Sequence, residues 1–259
     1  MSSNPFKKTM IVWKAIFLKD CLSRFFGSRA AWVWLIVEPS IHIIFIAAIY
    51  SIVRSRTVQG VEVQPWLAMG MMAFFVFRRT AVQVLHSIDC SKPFFAFREV
   101  RPFDAALCRG WVEAFAMFFI SLIIMAAFQA AGFEMFPDDL ILCILAFFGL
   151  WFLGFGYGLI SSVSMRLVPD SGFILQLLLM PMYIISGVMM PVMIIPEPYQ
   201  GLIMINPAAH GVEAFRIGIW GELYHTVDVS MAYLYAWDLV LVVIGMALYQ
   251  ALETRLVRQ

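Results

Sequence analysis

The sequence predicts an all-α integral membrane protein: six transmembrane helices, an N-terminal interfacial helix, and a broken re-entrant helical hairpin before the last span. Three observations predict it. The 259 residues are 62% hydrophobic and only 14% charged, with mean hydropathy +0.86, far from the roughly half-apolar, quarter-charged mix of soluble domains. Apolar runs close to the ~18 to 20 residues that cross a ~30 Å hydrocarbon core recur along the whole chain, leaving no room for a sizeable soluble domain. Lysine and arginine collect in alternate loops. The chain reads as one membrane domain over 1–259.

Residues 1–29 mix Lys7, Lys8, Lys14 and Lys19 with Trp13, Phe17, Phe25 and Phe26, the composition of a helix lying in the cytosolic interface. Lys14, Lys19 and Asp20 interrupt any apolar core and no small-residue cleavage site follows, so no signal peptide is expected. The spans are Ala31 to Val53, Trp66 to Ile88, Leu107 to Ala131, Leu140 to Ser164, Gly172 to Met190 and Ser230 to Leu252. In the fourth, Gly154, Gly158 and Ser162 form a small-residue face that lets another helix approach closely, and we assign it to packing within the subunit. Trp32, Trp34 and Trp66 fall where aromatic belts are expected and imply no ligand. Pro191 to Val229 is apolar but broken by Pro191, Pro196, Pro198, Gly201, Pro207, Gly211, Gly218 and Gly221. Irregular backbone at membrane depth survives only where protein or water covers it, so 191–229 is assigned to an extracytoplasmic re-entrant segment.

Orientation follows the basic residues. Lys7, Lys8, Lys14, Lys19, Arg24 and Arg29 precede the first span. Lys92, Arg98, Arg101 and Arg109 lie between the second and third, Arg166 follows the fourth, and Arg255 and Arg258 end the chain. These segments are predicted to be cytosolic, with both termini inside. The opposite loops hold Arg54, Arg56 and Arg216 among many acids.

Motifs exclude several functions. No GxxxxGK[ST] phosphate loop, HExxH or GxSxG occurs, and His42, His86, His210 and His225 are too dispersed for a metal cluster. No catalytic residue and no metal ligand is expected, and no cofactor in this chain. Net charge is +1, with no basic stripe for nucleic acid. Cys21, Cys90, Cys108 and Cys143 are scattered without a CxxC pair and read as reduced packing residues. A multi-pass chain of this kind is a transporter subunit, a channel, a scaffold or a lipid-handling membrane enzyme.

Arg78 and Arg79 narrow the choice. Each arginine costs about 2.5 to 3.5 kcal/mol at a helix centre, while strongly apolar residues return about 0.3 to 0.6 each, so the second span roughly breaks even. It needs a polar side. At helical spacing Arg79, Gln83 and His86 form one stripe, with Phe75 above, the pattern of a pathway wall that would carry a cationic ring in a dimer. Two other readings stay open: the arginines pair with Glu38 or Asp238, or the span ends at Phe77, which leaves too few apolar residues after Pro65 to cross. Arg78 is rotated by about 100° from Arg79, so Arg79 is assigned to the pathway and Arg78 to a carboxylate. In the loop 89–106, Phe94, Phe95 and Phe97 amid Arg98, Glu99, Arg101 and Asp104 read as a docking surface, or as a short helix packed on its own bundle.

Three stretches carry a family resemblance: FFGSRAAWVWLIVEPSIHIIF, VRPFDAALCRGWVEA and SGVMMPVMIIPEPYQGLIMINPAAHGVEAFRIG. They resemble the membrane subunits of type-2 ABC exporters, in particular the capsular polysaccharide export permeases, over nearly the whole chain. The Glu38-Pro39 pair and the SGxxxP…PEPY…NPxxHGxExxR pattern are the most specific parts.

The resemblance implies a homodimer paired with two cytosolic ABC ATPase subunits that bind ATP and Mg, periplasmic or outer-membrane export components, and a lipid-linked acidic polysaccharide leaving across the bacterial inner membrane. It places ATPase coupling at Phe94, Phe97, Arg98, Glu99 and Arg101, and an outward gate at Pro191, Pro196, Asn206, Pro207, Glu213 and Arg216. The substrate pathway would be Arg78, Arg79, Gln83, His86, Phe75 and Glu38. Alternatives are a type-2 exporter of an O-antigen or teichoic-acid polymer, a lipid or a drug, or a stand-alone channel or membrane enzyme.

Overall fold

The computed structural model describes residues 5–26, 33, 37, 40–46, 48, 49, 57–96 and 100–258. Glu38, Phe97, Arg98 and Glu99, singled out above, lie outside the described residues. So does most of the predicted first span. Its described positions are helical, Ile43 is buried, and His42 lies 5.7 Å from the Phe75 ring and 6.3 Å from that of Tyr183.

The protein is mostly helical. Helix α1, Pro5–Phe26, precedes the first predicted span. A two-residue-per-strand hairpin follows later, β1 Thr57–Val58 with β2 Val61–Glu62. Its turn residues Gln59 and Gly60 both have positive φ, the left-handed geometry that matches strand twist in tight hairpins. Helix α2, Val63–Leu85, carries the two arginines and is buried on nearly every side. That burial is how a span with two arginines is accommodated, because little of it meets lipid. Ser87–Ser91 (α3) and a 3-10 turn, Lys92–Ala96, lead toward α4, Pro102–Ala130. Helix α4 begins earlier than hydropathy suggests: Pro102 suits a first helical turn, and the Asp104 carboxylate accepts the Arg101 backbone N–H at 3.2 Å.

Helix α5, Leu140–Leu167, starts at Asp139, whose side chain accepts from the Leu142 N–H at 2.9 Å. The predicted fifth crossing, Gly172 to Met190, is shorter than expected. It consists of α6, Ser171–Leu177, and α7, Leu179–Ile185, broken at Leu178. Pro181 lacks the N–H that would bond the Leu177 carbonyl, which explains the break, and Gly187 at φ 68° ends the segment. The interrupted stretch becomes a 3-10 turn at Val192–Ile194, α8 Glu197–Ile203, α9 Pro207–Trp220 and a further 3-10 turn. Helix α10, Met231–Arg258, closes the described chain. Among the described residues, α2, α4, α5 and α10 are long and apolar enough to cross a membrane.

The core is α2 packed on α5, with α9 and α10 against α5 as well. Gly154 and Gly158 allow the closest approach. A Cβ at Gly154 would stand 2.4 Å from the Phe77 carbonyl oxygen, and one at Gly158 2.6 Å from Val84 Cβ. One turn on, the Ser162 hydroxyl bonds Tyr249 OH of α10 at 2.6 Å. The small-residue face is thus used within the subunit. Because the obstacle at Gly154 is backbone, Gly154→Leu is expected to destabilise by about 1–3 kcal/mol or more, read as a lower thermal unfolding midpoint in detergent. Gly201→Leu, where a Cβ meets nothing within 4 Å, should leave that midpoint unchanged.

Candidate functional site

Two charged clusters sit at opposite ends of α2. Near its C-terminal end the stripe Arg79, Gln83, His86 turns toward α4 and α6 rather than toward an open channel. Arg79 Nε donates to Glu113 Oε1 at 2.8 Å, while Arg24 of α1 donates through Nη1 to the other oxygen, Oε2. Glu113 has 0% of its surface exposed. Gln83 Oε1 accepts from Arg109 Nη2 at 3.2 Å, and Arg109 Nη1 lies 4.0 Å from Asp20 Oδ2. Gln176 Nε2 of α6 donates to His86 Nε2 at 3.1 Å. Every member of the stripe is occupied by a neighbour.

Helix α1 runs lengthwise along the first turns of α4. Trp13 Nε1 donates to Asp104 Oδ1 at 2.7 Å, Asp20 faces Arg109, and Arg24 reaches Glu113, so the contacts advance together along both helices. Lys19 Nζ stands 4.6 Å above the Phe94 ring, joining α1 to the loop before α4. Asp89 in that loop receives Lys92 at 2.8 Å and Arg166 of α5 at 3.5 Å. Arg101 is exposed at the start of α4.

The carboxylate partner expected for Arg78 belongs to Arg79. Arg79 is held by a buried carboxylate, whereas Arg78 is half-buried and has no ion-pair partner among the described residues. Asp238, one of the two acids considered as a partner, is 4% exposed with no hydrogen bond to either oxygen, and neither arginine reaches it. Sequence reasoning missed Glu113. The signal was present, since Glu113 is the sole carboxylate in the apolar run from Leu107 to Ala131 and an ionisable group in a span marks a functional position by default. What the spacing argument lacked was the rotation of α2 against α4.

At the N-terminal end of α2, Arg216 of α9 is 0% exposed. Its Nη1 donates to the Gly187 carbonyl at 2.8 Å and to Glu213 Oε1 at 2.9 Å, and its Nη2 to the Val188 carbonyl at 2.8 Å. Nε donates to the Trp66 carbonyl at 3.3 Å, and the guanidinium carbon lies 3.7 Å from the Trp66 ring centroid. Tyr224 OH donates to the second Glu213 oxygen at 2.7 Å. Gly70 makes room, because a Cβ there would fall 1.9 Å from Arg216 Nη2. A planar guanidinium with several donors suits this bed of carbonyls, carboxylate and indole as a lysine would not.

Of the other gate residues, Asn206 caps α9 by accepting the Ala208 N–H at 3.1 Å and donates from Nδ2 to Ser186 Oγ at 2.9 Å. Pro207 opens α9, while Pro191 and Pro196 precede the 3-10 turn and α8. Asn206, Glu213 and Arg216 therefore converge on the turn after α7. Trp66 and Arg79, which touch the two clusters, are separated along α2 by about 20 Å at 1.5 Å per residue.

The ionic bridge makes a stability prediction. Glu113→Ala leaves two guanidinium groups without their shared anion, and loss of one partner of a buried ion pair costs about 3–5 kcal/mol. The thermal unfolding midpoint of the detergent-solubilised protein should fall well below that of Lys92→Ala, which removes only an exposed pair.

The chain is similar to known membrane proteins. Residues 12–220 match the model of the ABC-2 type transporter family. The chain is 29% identical over 253 residues to the polysialic acid transport protein KpsM of Escherichia coli, covering 98% of each chain. It is 24% identical over 252 residues to the capsule polysaccharide export inner-membrane protein CtrC of Neisseria meningitidis, covering 95% of this chain and 94% of the relative. It is also 24% identical over 237 residues to the capsule polysaccharide export inner-membrane protein BexB of Haemophilus influenzae, covering 92% and 89%. With its long apolar helices and a family match across most of its length, the chain belongs to the ABC-2 type transporter family as a multi-pass membrane subunit.

Proposed function

We propose that the chain is the permease subunit of an ATP-driven exporter that moves a lipid-linked acidic capsular polysaccharide across the bacterial inner membrane. It works as a homodimer with two cytosolic ABC ATPases and delivers polymer to periplasmic or outer-membrane export components. Full-length similarity to permeases named for polysialic acid transport and capsule polysaccharide export supports the substrate class. The observation that carries the reading is the division between neighbouring arginines: Arg79 is paired with Glu113, which it shares with Arg24, while Arg78 keeps a half-buried charge without an ion-pair partner among the described residues. A cation kept at such cost within a span serves an anion that docks or passes, here a sugar carboxylate or a lipid phosphate.

In this reading α1 and the Phe94 loop lie on the cytosolic side. The Lys19–Phe94, Trp13–Asp104 and Arg24–Glu113 contacts would join the loop, α1 and α4 so that they respond to the ATPase together. Phe94, Phe97, Arg98, Glu99 and Arg101 form the ATPase contact. The 191–229 segment forms the outer gate, where Arg216 pins α9 to the Gly187 turn and to Trp66. Two subunits separating along α2 would open a path beside Arg78.

Charged hydrogen bonds contribute about 1.5–3 kcal/mol, so Arg78→Ala should lower polymer export about ten- to a hundredfold. Assembly with the ATPase and basal ATP hydrolysis should be retained. Arg79→Ala should instead lower the yield of folded protein. Normal export by Arg78→Ala would refute the role of that cation, whereas a chain that purifies without an ATPase and transports alone would refute the exporter.

A further inference from the structure

Helices α4 and α5 follow one another in the chain yet meet over little of their length, with a close contact at Gly110. There the Trp151 indole N–H donates to the Gly110 carbonyl at 2.8 Å, and a Cβ would stand 2.9 Å from Phe155. Elsewhere aromatic rings hold the two apart, among them Phe118 against Phe147 with centroids 6.2 Å apart. On either side of that contact a cleft opens. The one toward α1 measures 860 Å³ and is walled by Met10, Phe17, Trp111, Phe115 and Phe119, with Lys14 the sole charged side chain among its described lining residues. The one beyond measures 580 Å³ and has no charged side chain among its described lining residues.

We infer that the cleft beside α1 is the binding site of one anionic phospholipid, its acyl chains on the aromatic walls and its phosphate at Lys14. The walls are large apolar side chains left half-exposed along two membrane-length helices: Trp111 is 44%, Phe115 52% and Phe119 46% exposed. A sugar polymer finds almost no hydrogen-bonding groups there. A packed helix needs small residues at its contact surface, and Trp111, Phe115 and Phe119 are the opposite. His42, in the described part of the predicted first span, packs on Phe75 and Tyr183, and none of these three lines the cleft. The volume falls in the range of about 300–1,000 Å³ typical of sites that enclose small ligands. Charge sits at one end only, on Lys14, beside a Trp13 already anchored to Asp104. That asymmetry selects an anionic headgroup from the leaflet on the α1 side, since a basic residue near a membrane surface favours anionic lipid.

Bound there, the lipid would fill the space behind α1 and help hold it along α4, where Arg24 meets Glu113. The inference does not depend on the transported substrate. The full chain, purified in mild detergent and stripped of lipid, is incubated with vesicles of phosphatidylcholine with or without phosphatidylglycerol, and retained lipid is counted by native mass spectrometry. One phosphatidylglycerol per chain is expected, kept in preference to phosphatidylcholine. Lys14→Glu should lower its occupancy about fivefold, the effect of one basic residue at an anionic surface, and Lys14→Arg should preserve it. Lys14 is exposed on α1, so neither variant threatens the fold. Equal retention of the two lipids, no retained lipid, or unchanged occupancy in Lys14→Glu would overturn the inference. So would a sugar-bearing lipid on the protein as first purified, displaced by neither phospholipid.

Discussion

A carboxylate with no exposed surface, Glu113, bridges an arginine of α1 and an arginine of α2, and the arrangement of this end of the molecule depends on that bridge. An arginine at a helix centre costs about 2.5 to 3.5 kcal/mol, a cost that falls on Arg79 within α2. With Glu113 between the two arginines, that cost is offset by short, charge-assisted contacts in a medium that screens poorly. The bridge also sets geometry. It rotates α2 so that its polar stripe meets α4, and it draws α1 against the first turns of α4 instead of leaving it free. The neighbouring residue, Arg78, has no ion-pair partner among the described residues.

Helix α2 is consequently a strut between two ionic knots. At one end Arg79 is bound to Glu113, and at the other the carbonyl and ring of Trp66 receive Arg216. Between them its surface is covered almost entirely, by α5 where Gly154 and Gly158 let the backbones approach. In the exporter reading, a helix held at both ends and along one side would carry a displacement of α1 or α4 to the turn after α7. Arg216 joins three separate elements there: α2 through Trp66, the Gly187–Val188 turn, and Glu213 of its own helix.

The two sides of the bundle differ in character. The α2–α5–α9 side is closely packed, and Arg79, Glu213 and Arg216 find their partners within the protein, while Gln64, Trp66 and Thr80 keep buried polar atoms without a hydrogen-bond partner among the described residues. The α4–α5 side is splayed by edge-to-face aromatic rings and leaves apolar walls bare, which in a bilayer is stable because hydrocarbon can occupy the space. Helix α10 likewise presents much of its length outward, while burying Asp238 without a hydrogen-bonding partner. Packing energy is concentrated where motion would have to be passed on, and lipid-accessible surface lies away from it.

Much of the architecture was legible locally. Hydropathy and charge placed the helical span at Leu140 to within a few residues, the breaks in the 191–229 segment fall among its prolines and glycines, and the shared face of Arg79, Gln83 and His86 follows from 3.6-residue geometry. The small-residue face of α5 was recognisable from spacing alone. Two local signals were underweighted: the Pro102–Asp104 start of α4, and Pro181, which shortens the segment after α5. The partners of the charges were not legible. Arg79 is separated from Glu113 by 34 positions and Arg24 from Glu113 by 89, and no short-range pattern orders such pairs. Sequence by itself determined that this is a helical membrane subunit with charge inside a span, because burial preference and backbone chemistry act residue by residue. Which arginine is paired with a carboxylate and which keeps no ion-pair partner among the described residues was decided only by tertiary structure, because that choice depends on how far each helix rotates as it packs against the next.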